Sequence, residues 1–185
     1  MSRKDIPNLI SLLRILLVAP VVWALATQQF ALALVLFAVA GISDGLDGFL
    51  AKHYHWESRL GSILDPIADK LLLVASFATL ALLDLLPMWL LYLVLARDIL
   101  IVGGGLAYHY LVGQFDLLPL WSSKINTTLQ IALVLAVIIH HQWFDSMEKV
   151  ITVGIWLVVA SVINSGTEYV LVWGTRAWRQ HKQNL

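Results

Sequence analysis

Four aspartates, Asp44, Asp47, Asp65 and Asp69, stand in the segment SDGLDGFLAKHYHWESRLGSILDPIADK, and the chain on either side of it is almost wholly apolar. Asp44 and Asp47 are three residues apart and Asp65 and Asp69 four, spacings that put each pair on one face of a helix. Two such helices meeting at a membrane edge would bring the four carboxylates together. An aspartate costs about 2.5–3.5 kcal/mol at the centre of a spanning helix and less toward its end, so the set needs a compensating partner. Clustered carboxylates without a cation repel one another and take up protons. A hard ion such as Mg²⁺ is instead satisfied by carboxylate oxygens together with substrate phosphates. The pattern therefore predicts a divalent-ion site acting on a phosphate-bearing substrate. Pairing of the acids with Lys52, Arg59 and Lys70 for topology alone requires neither this spacing nor the small residues between the pairs.

Those small residues have their own use. Gly48 follows Asp47 and Ala51 lies about one turn on, so this helix face has little bulk and a flat group can approach the backbone. Lys52 and Arg59 add positive charge beside the acids. Gly61 permits close packing or a sharp entry to the next helix, and Pro66 falls in that helix's first turns, where proline is best tolerated.

The elements that must position these groups follow from composition. The chain has 185 residues, 59% of them hydrophobic and 13% charged, with mean hydropathy +0.80, values that indicate an all-α integral membrane protein. Twelve basic and twelve acidic residues cancel, and nothing in the charge balance suggests a nucleic-acid partner. There is no cysteine, hence no disulfide, thiolate metal site or cysteine nucleophile. A spanning helix needs about 20 mainly apolar residues, and six segments qualify, near 9–27, 30–50, 61–83, 87–110, 124–142 and 148–173. The whole chain, 1–185, reads as one membrane domain. The N-terminal apolar run is read as a retained first span, because no small-residue cleavage site follows it. Arg14 in IPNLISLLR is expected to snorkel toward headgroups.

Charge placement orients the bundle. Arg3, Lys4, Lys52, Arg59, Lys124, Arg176, Arg179 and Lys182 fall at one set of ends and Lys149 alone in the opposite links. The positive-inside rule makes the first set cytoplasmic, with both termini and the aspartates on that side, at the ends of helices 2 and 3.

The pattern Asp44-x-x-Asp47-Gly48-x-x-Ala51-Lys52, eight residues, then Gly61-x-x-x-Asp65-x-x-x-Asp69 resembles the signature of the CDP-alcohol phosphatidyltransferases. Lys52 departs from the family's usual arginine, which keeps the charge and loses bidentate phosphate geometry. Pro7, Asn8, Arg14 and the six-helix layout extend the resemblance over nearly the whole chain. It implies an enzyme that transfers a phosphatidyl group from CDP-diacylglycerol to an alcohol and releases CMP. It also implies two divalent ions, Mg²⁺ or Mn²⁺, held by Asp44, Asp47 and Asp65, with Asp69 close to them and serving as general base. Gly48, Ala51 and Lys52 would line the nucleotide, with Arg59 and Gly61 nearby. Asn8 either reaches the same pocket or caps its helix. The resemblance further implies a homodimer in a bacterial inner (cytoplasmic) membrane.

The acceptor must be read from the second half. Arg97 and Asp98 lie inside helix 4, where charges mark either function or a structural ion pair. Lys124 and Asn126 begin helix 5. The segments LARDIL and SSKINTTLQ, with AGISDGLDGFLA and LGSILDPIADK, resemble the cardiolipin synthases of this family more than its glycerophosphate phosphatidyltransferases. Between Gly103 and Lys124 the cations are few, and Tyr108, Tyr110, Phe115 and Trp121 make the stretch aromatic. That favours a lipid acceptor, phosphatidylglycerol, giving cardiolipin, over glycerol 3-phosphate, giving phosphatidylglycerophosphate. The aromatics also suit an interfacial belt. A cation transporter is the non-enzyme alternative, but its polar groups would be spread through the bilayer depth, whereas these aspartates gather at one end.

Overall fold

A computed structural model of the chain describes residues 5–54, 61–111, 120–143 and 146–183, with the side chains of 5–8, 47–53, 62–63, 106–111, 174 and 176–183 outside the description. Six helices follow in order: α1 (Asp5–Ala26), α2 (Phe30–Tyr54), α3 (Gly61–Leu82), α4 (Met88–Leu111), α5 (Trp121–Trp143) and α6 (Glu148–Gln183). Helix is the expected answer for segments this apolar, because lipid offers no partner to a backbone amide and only internal pairing satisfies it. Among the described residues, four helices hold a stretch long and apolar enough to cross a membrane: Leu9–Ala26, Met88–Gly105, Trp121–Trp143 and Glu148–Trp173. In α2 the apolar stretch among the described side chains is Phe30–Leu46, with Asp44 inside it. Helix α3 carries Asp65, Asp69 and Lys70 in its first three turns. The protein is a multi-pass membrane bundle of six helices.

The larger departures of helix ends from the sequence expectation are extensions. Helix α2 continues past residue 50 to Tyr54, α5 starts at Trp121 instead of 124, and α6 runs to Gln183 instead of 173. Hydropathy marks the stretch that suits lipid, whereas backbone pairing carries a helix on into polar residues at the boundary.

The turns obey local chemistry. Gln28 and Asp84 have φ of 57° and 58°, the left-handed region at the C-terminal ends of α1 and α3. Gln29 N–H donates to Ala24 C=O and Leu85 N–H to Leu80 C=O, the long backward bonds that close a helix end of this type. Aspartate tolerates that backbone better than most residues; for Gln28 the paired carbonyl offsets the strain.

Two compact units divide the chain. One comprises residues 1–88 and 134–147, the other 89–133 and 148–185. In the first, α1 packs against both α2 and α3. Ala24, Ala33, Ala40 and Ala68 are fully buried, and their small side chains let the helices approach closely. Phe77, Leu80 and Leu25 fill the larger gaps. Outward positions are apolar too: Leu16, Val35 and Leu82 are all more than half exposed, as a surface solvated by lipid tails allows. In the second unit the Trp89 and Trp156 rings meet at a tilt of 42° with centroids 6.4 Å apart, and Gly104 lies against the Trp173 ring.

Candidate active site

The packing of α1 between α2 and α3 decides what happens to the carboxylates. Asp44 sits where the apolar run of α2 ends, and Asp65 and Asp69 lie one turn apart at the start of α3. Facing them from α1 are Ser11 and Arg14, three residues apart and therefore on one helical face. One guanidinium nitrogen of Arg14, Nη1, lies 2.6 Å from Asp44 Oδ1 and 2.7 Å from Asp69 Oδ1. Ser11 Oγ donates to Asp65 Oδ1. Arg14 is 1% exposed, while the Asp44 and Asp69 side chains are 44% and 49% exposed. Asp44 and Asp69 thus share one positive charge from the interior and keep an open side.

This corrects the reading of Arg14 as a side chain snorkelling to the headgroups. A guanidinium cannot lose its proton, and burying it in an apolar bundle is tolerated only when carboxylates answer it. Three turns of apolar residues beyond Arg14 would make snorkelling the default, but two aspartates within reach give the charge a better partner inside. Ser11 was not singled out from sequence at all. The signal that identifies both is their i, i+3 spacing on an otherwise apolar helix that must contact the aspartate-bearing ones.

The remaining acids and their neighbours divide by what is described. Asp47, Gly48, Ala51 and Lys52 lie on helical backbone of α2 and Asn8 on that of α1, with their side chains outside the described residues. Arg59 lies outside the described residues altogether. Gly61 is the first residue of α3 and is buried. Among the described residues no group of three or more His, Cys, Asp or Glu side chains is gathered as a metal centre. The donor chemistry nevertheless suits a hard cation. Carboxylate oxygens from two helices already converge on one positively charged nitrogen, and hard oxygen donors are what Mg²⁺ or Mn²⁺ prefers.

The residues expected on the acceptor side, Arg97, Asp98, Lys124 and Asn126, all lie in the second unit. Arg97 Nη1 pairs with Asp98 Oδ1 at 3.0 Å. Its Nη2 donates to Ser123 Oγ at 2.8 Å and to Ser165 Oγ at 2.5 Å. Tyr169 lies under the guanidinium, 6.0 Å from its ring centroid, and the Tyr169 hydroxyl accepts from Leu120 N–H. Arg97 thereby ties α4 to α5 and α6. Asn126 is fully buried and its Oδ1 accepts from Ser161 Oγ at 2.9 Å. Gln130, one turn on, is also fully buried, and neither of its amide atoms has a hydrogen-bond partner among the described residues. Lys124 is exposed and sits over the Trp121 ring, 4.9 Å from its centroid. Trp121 is itself among the most exposed side chains, as an interfacial anchor would be.

Comparison with known proteins follows the same residues. Residues 4–165 match the sequence profile of the family described as CDP-alcohol phosphatidyltransferase. Similar proteins include the human cardiolipin synthase (CMP-forming), 35% identical over 147 residues, which cover 71% of this chain and 49% of the human one. The rice chloroplastic CDP-diacylglycerol–glycerol-3-phosphate 3-phosphatidyltransferase 1 is 32% identical over 183 residues, covering 89% of this chain and 56% of its own. The Bacillus subtilis CDP-diacylglycerol–glycerol-3-phosphate 3-phosphatidyltransferase is 29% identical over 182 residues, covering 89% of this chain and 93% of its own. The chain spans about half the length of the animal cardiolipin synthases it matches, 49% for the human and rat proteins and 45% for the Drosophila one.

Proposed function

The chain belongs to the CDP-alcohol phosphatidyltransferase family, an enzyme family, and we propose that it transfers the phosphatidyl group of CDP-diacylglycerol to an alcohol acceptor with release of CMP, in anionic phospholipid biosynthesis. The observation that carries the proposal is the meeting of Asp44 and Asp69, two positions of the family signature on separate helices, at a single cationic centre with an open side. Asp44, Asp47, Asp65 and Asp69 would hold two divalent ions, Mg²⁺ or Mn²⁺. Bound there, the ions would neutralise the pyrophosphate and favour departure of CMP. Asp69 accepts the proton of the acceptor hydroxyl as its oxygen bonds to the lipid-side phosphorus and the bond from that phosphorus to CMP breaks. An ordinary carboxylate is too weak a base to ionise a free alcohol beforehand, so its part is to receive the proton as attack proceeds. Lys52 and Arg59 attract the phosphates as positive charges, and Gly48, Ala51 and Gly61 leave room for the nucleotide, with Asn8 at its edge.

Phosphatidylglycerol is the acceptor this reading favours, giving cardiolipin. Arg97 is engaged by Asp98, Ser123 and Ser165, so it contributes little to holding a soluble dianion, and Lys124 alone is a weak clamp for one. The second reading, glycerol 3-phosphate giving phosphatidylglycerophosphate, draws support from the similar Bacillus subtilis protein, which this chain matches over 93% of that protein's length. The placement that goes with the proposal is a single domain in the bacterial inner membrane with all six helices spanning. The aspartates and both termini would face the cytoplasm, and two copies would associate.

The test supplies purified protein with CDP-diacylglycerol, Mg²⁺ and both acceptors, and resolves the lipids. Cardiolipin is the expected product. Accumulation of phosphatidylglycerophosphate without cardiolipin would reverse the acceptor assignment and leave the reaction class standing.

A further inference from the structure

Arg14 has no task in the transfer as written above, yet it is the most deeply buried charge in the site. Its Nη1 is shared between Asp44 on α2 and Asp69 on α3, at 2.6 and 2.7 Å, from a position 1% exposed. We propose that Arg14 is a positioning residue that serves as a built-in counter-cation: it holds the Asp44 and Asp69 carboxylates together before a divalent ion arrives and yields part of its hold on them to that ion. The proposal rests on the reading of these aspartates as ion-holding.

The physical grounds lie in the contrast between the two donors of α1. Ser11 gives Asp65 a neutral hydroxyl, which occupies one lone pair and leaves the full carboxylate charge available to a cation. Arg14 gives Asp44 and Asp69 a full positive charge that no change of pH removes, so it competes with any cation at the same oxygens. Without it, two half-exposed carboxylates from different helices would face each other with no cation between them. With it, the bundle closes in the absence of metal, and ion binding is weakened to the extent that the guanidinium must give way. A merely structural arginine would lower stability when removed and leave the ion affinity of the folded protein unchanged.

The experiment uses the full chain purified in detergent, with Mn²⁺ alone as probe. Free Mn²⁺ is followed by its electron paramagnetic resonance signal, and melting is measured with and without the ion, for wild type, Arg14→Gln and Arg14→Lys. Arg14→Gln is expected to melt lower than wild type without metal, to bind Mn²⁺ about fivefold or more tightly, and to gain more in melting temperature on adding it. Arg14→Lys, whose single ammonium bridges two carboxylates less completely, is expected to fall between the two. If Arg14→Gln does not fold, Arg14→Lys carries the test through the same tightening of about twofold or more. An affinity equal to or weaker than wild type in the folded variant overturns the proposal. Failure of wild type itself to bind Mn²⁺ is a different result: it overturns the ion-holding reading of the aspartates and this proposal with it.

Discussion

Arg14 Nη1 and Asp69 Oδ1 stand 2.7 Å apart and join α1 to α3, with the guanidinium almost wholly buried and the carboxylate about half exposed. The asymmetry separates two duties of Asp69. Its inner oxygen anchors a helix pair, while its exposed part remains open to whatever enters the site.

Asp69→Asn should separate those duties. The amide oxygen still accepts from Arg14, and Asp44 still answers the guanidinium charge, so the variant is expected to fold, with a stability loss of about 1–2 kcal/mol. Transfer to either acceptor should fall below detection, since an amide cannot receive the proton. Thermal melting alongside an assay of CMP release checks both halves; normal turnover would remove Asp69 from the proton-transfer role.

A second prediction concerns packing in the other unit. A Cβ added at Gly104 would run into the Trp173 ring, whereas one added at Gly103 meets nothing within 4 Å. Gly104→Ala should therefore destabilise by about 1–3 kcal/mol, because an indole held between helices has little freedom to retreat. Gly103→Ala should be neutral or slightly stabilising, since alanine is the better helix former. Melting temperatures of the two variants in the same detergent decide it; equal effects would contradict the close contact.

The third prediction follows from the fork of Arg97. Its two terminal nitrogens serve Asp98, Ser123 and Ser165 at once, a task a single ammonium cannot reproduce. Arg97→Lys is expected to lose most of the stability that Arg97→Ala loses, about 2–4 kcal/mol for a buried pair broken on one side. In the protein that remains folded, the KM for the acceptor should stay within about twofold of wild type. A raised acceptor KM with unchanged melting would return Arg97 to the acceptor site.

Lys52 supplies the fourth. As a point charge toward the phosphates, it should tolerate Lys52→Arg with most activity kept, while Lys52→Ala should raise the KM for CDP-diacylglycerol by about tenfold. An unchanged KM in Lys52→Ala would mean that the side chain is only solvated.

The contrast between Asp44 and Arg14 explains how much of this was legible in sequence. Asp44, Asp65 and Asp69 announce themselves, because acids at fixed helical spacing beside apolar runs are costly and need a purpose. The six helices are legible for a related reason: long apolar segments in lipid have almost no alternative to helix. Arg14 and Ser11 were not legible as site residues, because their role depends on which face of α1 turns toward α2 and α3. Their i, i+3 spacing marks one polar face on α1, but which helices that face meets is decided only by packing. Sequence alone leaves Arg97 open between function and ion pair for the same reason, since Ser123 and Ser165 are 26 and 68 residues away in the chain and become its partners only through packing. Helix ends were misjudged wherever a helix continues beyond its apolar stretch, as α6 does past Trp173 to Gln183.

If the centre built on Asp44 and Asp69 performs CMP-forming transfer, ion, acceptor and Asp44 must all be required for it. The most direct measurement is CMP release from CDP-diacylglycerol by the purified chain, with Mg²⁺ and the alcohol acceptor each supplied or withheld, in wild type and Asp44→Asn. CMP is expected to form one for one with new phospholipid only when ion and acceptor are both present, and not at all from a folded Asp44→Asn. Absence of CMP with every acceptor tried, or release by Asp44→Asn at the wild-type rate, would contradict it.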